Sequence, residues 1–92
     1  MTTEELLAEE RKIWGVDQQS LEHIVICMGK TYGDIAKQAR NKLENGSIDE
    51  TELKKELGNI IASTVRWTSD LGYDIEECLE LALKSQRDYR KS

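Results

Sequence analysis

Two short segments, Thr31-Tyr32-Gly33-Asp34 and Glu56-Leu57-Gly58-Asn59, each set two oxygen-bearing side chains three residues apart, with glycine just before the second. On an α-helix, positions i and i+3 share a face one turn apart, so each pair can aim its oxygens at a common point. Two such helices packed antiparallel would bring four oxygens into one cluster. Clusters of this kind hold hard divalent cations such as Mg²⁺, with waters and substrate phosphates completing the shell. Only Asp34 and Glu56 are carboxylates, so Thr31 and Asn59 would serve as neutral ligands.

The elements that must position these residues are legible from hydrophobic spacing. Thr2 or Thr3 with Glu5 can start a first helix carrying Leu6, Leu7 and Ile13 and ending near Trp14-Gly15. A second, capped at Asp17 or Ser20, runs through Leu21, Ile24, Cys27, Tyr32, Ile35 and Leu43 until Asn45-Gly46-Ser47 stops it. Asp49 with Glu52 three residues on is a capping-box arrangement for a third helix. That helix is expected to bury Leu53, Leu57, Ile60, Ile61, Trp67 and Leu71 and to end at Gly72. Asp74, with Glu77 three residues on, caps a fourth whose apolar side is Ile75, Cys78, Leu79 and Ala82. Short connections make neighbouring helices antiparallel. The expected fold class is all-α, a single domain over residues 1–92.

Composition narrows the functions available. Proline and phenylalanine are absent and 34% of residues are charged, which suits amphipathic helices better than sheets. A net charge of −5 argues against a broad nucleic-acid or anionic-membrane surface, because both rest on basic patches. A free nucleotide remains possible, since its phosphates can arrive with a metal. The longest apolar run, Ile24 to Met28, is too short to span a bilayer, and the acidic start Met1-Thr2-Thr3-Glu4-Glu5 is unlike a signal peptide, so a cytoplasmic location is expected. Cys27 and Cys78 sit among apolar neighbours with no CxxC spacing and read as small buried hydrophobes.

The stretch from Ile13-Trp14-Gly15 through His23, Gly33-Asp34, Lys55-Glu56-Leu57-Gly58-Asn59-Ile60 and Asp70-Leu71-Gly72-Tyr73-Asp74-Ile75-Glu76-Glu77 resembles the MazG-like nucleoside triphosphate pyrophosphohydrolases. The resemblance covers about four fifths of the chain and implies a four-helix fold completed by oligomerisation into a helical bundle, as a homodimer or homotetramer. In that family an ExxE and an ExxD motif on two helices hold Mg²⁺, or Mn²⁺, which positions a nucleoside triphosphate for hydrolysis to monophosphate and pyrophosphate. The matching residues here are Thr31, Asp34, Glu56 and Asn59, with Asp34 and Glu56 as the catalytic carboxylates. The resemblance also places an asparagine and a lysine of the last helix at Ala82 and Ser85, with Lys84 and Arg87 near enough to be phosphate contacts. Arg90 and Lys91 share that basic tail, whose plainer reading is a solvated charge run that favours the helix dipole.

The departures from the family pattern bear on chemistry. Two formal negative charges are missing from a site whose affinity for a hard cation depends on ligand charge. Lys30 stands four residues before Asp34, where an ion pair can form. The expected function is therefore a MazG-like fold with weakened or lost Mg²⁺-dependent hydrolysis; the alternative is a non-catalytic helical module that binds a nucleotide or a protein. His23 reads as a partly buried structural residue. Trp14, Trp67 and Tyr32 can stack on a nucleobase, although aromatics at helical spacing more often form core or subunit interface. Gly33 and Gly58 suggest close approach of the two motif helices.

Overall fold

The computed structural model describes residues 1–91, and those residues form four helices: α1 (Thr3–Trp14), α2 (Leu21–Asn45), α3 (Glu50–Asp70) and α4 (Ile75–Lys91). Their starts follow the local sequence. At α1 the capping box is complete, since Thr2 Oγ1 accepts from the Glu5 amide and Glu5 Oε1 accepts from the Thr2 amide. Of the two caps expected for α2, Ser20 is used; its Oγ accepts from the His23 amide at 3.2 Å. Asp49 Oδ1 accepts from the Glu52 amide at 3.1 Å. The return half of that box is missing because the Asp49 amide donates to Gln38 Oε1, while the Glu52 carboxylate pairs with Lys55. Asp74 caps α4 through the Glu76 amide rather than that of Glu77.

The stops are glycines in left-handed backbone where the chain turns. Gly46, at φ 74°, closes α2 with its amide bonded to the Lys42 carbonyl. Gly72, at φ 80°, turns the chain after α3, which ends at Asp70, two residues before the expected position.

The helix α3 is the centre of the molecule, with α1 and α2 packed along it and α4 touching only its end. Within this chain the apolar core is thin: Ile24 and Trp67 are its only fully buried apolar side chains among the described residues. Leu53, Ile60 and Leu71 on the same helix are half-buried. Leu57 and Ile61, expected inside, are exposed, because they lie on a second flank of α3 that neither α1 nor α2 covers. The α4 apolar side is likewise mostly uncovered: Leu79 is exposed, and Ile75 and Cys78 are half-buried. Gly33 and Gly58 do not mark close approach, since a Cβ at either would meet nothing within 4 Å.

A charged seam clips α1 to α3. Arg11 Nη2 lies 2.7 Å from Asp70 Oδ1 and donates to Ser69 Oγ at 3.3 Å, while Asp70 Oδ2 accepts from the Gln19 amide. One turn earlier on α3, Arg66 Nη1 lies 3.5 Å from Glu10 Oε1, both side chains being more than nine-tenths buried. The seam fixes the position of α1, and with it one wall of the groove.

Candidate functional site

A groove of about 640 Å³ runs along one face of the α2–α3 pair, with the end of α1 as its third wall. Thr31, Asp34, Glu56 and Asn59 all line it, so the helices bring the four motif residues to a common site as their spacing requires. Its cationic residues are Lys30, Lys55 and Arg66; its acids are Glu10, Asp34 and Glu56. The groove lining is thus formally neutral in a chain of charge −5, so an anionic ligand meets less repulsion there than over the acidic surface.

The acid pair already has a cation beside it. Lys55 Nζ lies 2.8 Å from Glu52 and 3.9 Å from Glu56. Its hydrogen bond and charge interaction with Glu52 raise its pKa above the ordinary 10.5, and the Glu56 and Asp34 carboxylates add to that rise. A raised lysine pKa stabilises the fold at every pH below the ordinary value and stops doing so only as pH climbs through the raised one, so Lys55 remains an ammonium at neutral pH. The ion pair expected between Lys30 and Asp34 does not form. A lysine preceding its acid by four residues has the less favourable orientation on a helix, and the charge of Lys55 on α3 acts on Asp34 from across the groove.

This donor set fits a resident Mg²⁺ or Mn²⁺ poorly. The Thr31 hydroxyl donates to the Cys27 carbonyl at 3.0 Å, the ordinary back-bond of a helical threonine. Asn59 is neutral, and Glu56 has Lys55 beside it at 3.9 Å. No group of three or more acidic, histidine or cysteine side chains suited to a metal occurs among the described residues.

The far end of the groove has a different character. Arg66 lies ten residues beyond Glu56 on α3, about 15 Å along the axis. Its Cζ sits 4.7 Å from the ring centroid of Trp14 and 5.7 Å from that of Trp67. Arg66 Nε and Nη1, Glu10 Oε1 and Trp67 Nε1 are buried without a hydrogen-bond partner. Trp67 is core, whereas Trp14 is well exposed at the groove mouth. His23, expected to be partly buried, is exposed and lines the groove. Tyr32 is exposed and points away from it, one position round the helix from Thr31.

The basic tail does not reach this site. Lys84 pairs with Asp88 at 2.9 Å on α4, and Arg87 lies with Leu83, Gln86 and Arg90 on the exposed surface of the same helix. Glu10 and Arg66 lie outside the motifs, and Lys55, within one, carries no role in the sequence reading. Their signal is in the charges: Glu10-Arg11 on one helix and Arg66 with Asp70 on another are complementary pairs placed against apolar faces, where an unpaired charge would be costly. A comparison of the chain with known protein families, curated proteins and solved structures finds no match.

Proposed function

We propose that the chain is a MazG-like helical module that binds a nucleotide in the α2–α3 groove, with metal-dependent pyrophosphohydrolysis weakened or lost. The observation that carries this reading is the convergence of Thr31, Asp34, Glu56 and Asn59 on one groove in which Lys55 supplies the positive charge beside the acids. Four carboxylates in such a place would repel one another without a metal; two carboxylates with an ammonium do not. Phosphates suit the Lys30 and Lys55 end, where two ammonium groups stand beside Asp34 and Glu56 and Lys30 is the one that makes no ion pair with them. The Arg66 and Trp14 end suits a planar base, through an aromatic face and guanidinium nitrogens that make no hydrogen bond, Glu10 lying 3.5 Å away as their counter-charge. The separation of about 15 Å along α3 is of the order of an extended nucleoside triphosphate.

Pyrophosphate release from a panel of standard and modified nucleoside triphosphates, with Mg²⁺ and separately Mn²⁺, tests the catalytic part. The expected result is turnover at or near background, unchanged in Glu56→Gln. Robust turnover abolished by that substitution would show that Asp34 and Glu56 suffice for hydrolysis.

A further inference from the structure

Seven buried side-chain nitrogen and oxygen atoms among the described residues make no hydrogen bond, and five of them belong to residues that line the groove. They are Glu10 Oε1, Gln19 Oε1, Arg66 Nε and Nη1, and Trp67 Nε1. Three separate parts of the chain supply them: α1, the loop before α2, and the last turns of α3. The Gln19 amide donates to Asp70 Oδ2, one turn beyond Arg66, which holds that loop at the same end of the groove. Polar groups withdrawn from water normally find partners within the protein. Here the Arg66 and Glu10 side chains, 7% and 9% exposed, stand 3.5 Å apart at Nη1 and Oε1, which balances their charges without satisfying their hydrogen bonds. So many unmet donors and acceptors in one place are costly unless a ligand edge meets them.

Their chemistry selects among the bases. A carboxylate only accepts, as does the Gln19 amide oxygen, while guanidinium and indole N–H groups only donate. The ligand must therefore bring donors to Glu10 and Gln19 and acceptors to Arg66 and Trp67. Adenine and cytosine each carry one amino donor beside ring-nitrogen acceptors on the pairing edge, and uracil has a single ring N–H between two carbonyls. Guanine sets two donors side by side, its N1–H and its 2-amino group, next to the O6 acceptor. A carboxylate takes two adjacent donors with its two oxygens, and arginine is a natural donor to guanine O6. Trp14, exposed at the groove mouth, offers ring surface for stacking, which every base accepts equally and which therefore adds affinity without choice. We propose that this end of the groove selects guanine, with Glu10 accepting from N1–H and the 2-amino group and Arg66 donating to O6. The inference rests on the nucleotide reading of the groove and names the base that reading leaves open.

Calorimetric titration of the full chain in excess EDTA with GTP, ATP, CTP, UTP and inosine triphosphate tests the selection. Inosine keeps O6 and N1–H but lacks the 2-amino group, so it isolates the second donor. The expected result is GTP bound about tenfold or more tightly than ATP, CTP and UTP, with inosine triphosphate weaker than GTP by about tenfold. In Glu10→Gln the preference for GTP over ATP shrinks to less than about threefold, because an amide presents one acceptor where the carboxylate presents two. Should that variant lose helicity, the wild-type ranking of GTP over inosine triphosphate decides by itself, since it needs no substitution. Equal binding of all five overturns the guanine assignment and leaves the nucleotide reading standing; binding of none overturns both. Tighter binding of any other base, or inosine triphosphate equal to GTP, also overturns the assignment.

Discussion

Replacing Arg66 with methionine lowers the free energy of unfolding by about 3–5 kcal/mol, the usual consequence of stripping one partner from a buried ion pair. The Glu10 side chain is 9% exposed and Arg66 is the cation beside it, so the variant leaves a carboxylate with neither water nor counter-charge. The loss also removes the guanidinium from the Trp14 and Trp67 rings. Against a typical stability of about 5–15 kcal/mol this is a large fraction, expected to lower the melting temperature by well over 10 °C. The double variant Glu10→Met/Arg66→Met recovers most of it, because an apolar pair of similar volume removes the desolvation cost of both charges. Denaturant melts of the two single variants and the double form a cycle that isolates the coupling. A single-variant loss below about 1 kcal/mol would mean that Glu10 finds water when Arg66 is gone.

The second large effect comes from restoring charge to the groove. The triple variant Thr31→Glu/Lys55→Gln/Asn59→Asp puts four carboxylates where the chain now has two and removes the internal ammonium. Without metal it is expected to be less stable than the wild type, since like charges at this separation repel. Added Mg²⁺ binds only the folded state and reverses the loss: at ten times the dissociation constant it contributes about 1.4 kcal/mol, or roughly 6–11 °C in a chain of this size. The wild type is expected to move by less than about 1 °C under the same addition, since its groove has only two of the four carboxylates to hold the cation. A thermal shift titration with and without low millimolar Mg²⁺ reads both. Equal shifts in the two proteins would contradict the assignment of Lys55 as the groove's resident cation.

Local chemistry explains why the helices were legible and their packing was not. Thr2, Ser20, Asp49 and Asp74 each begin a helix with a side chain that accepts an amide hydrogen, and Gly46 and Gly72 supply the left-handed backbone at the turns. These are properties of a few adjacent residues, so spacing alone finds them. Which apolar residues are covered depends on how many neighbours a helix has. Leu57 and Ile61 follow the same periodicity as Ile60 and Trp67, yet only the latter pair faces α2 and α1. The groove was legible in the same partial way. The i, i+3 pairs place Thr31 with Asp34 and Glu56 with Asn59, because a helix fixes that relation by itself. The charge of Lys55 acting on Asp34 across the groove, and Arg66 meeting Glu10 of α1, depend on the register between helices, which no local pattern encodes.

The central claim is that the groove takes a nucleotide without needing a resident metal. Calorimetric titration of a nucleoside triphosphate into the full chain, once in excess EDTA and once in Mg²⁺, tests it most directly. The account predicts saturable binding in both, with affinities within about threefold of each other, and loss of that binding in Lys30→Glu, which turns a phosphate contact into a repulsion. Binding seen only with Mg²⁺, or none in either buffer, would contradict it.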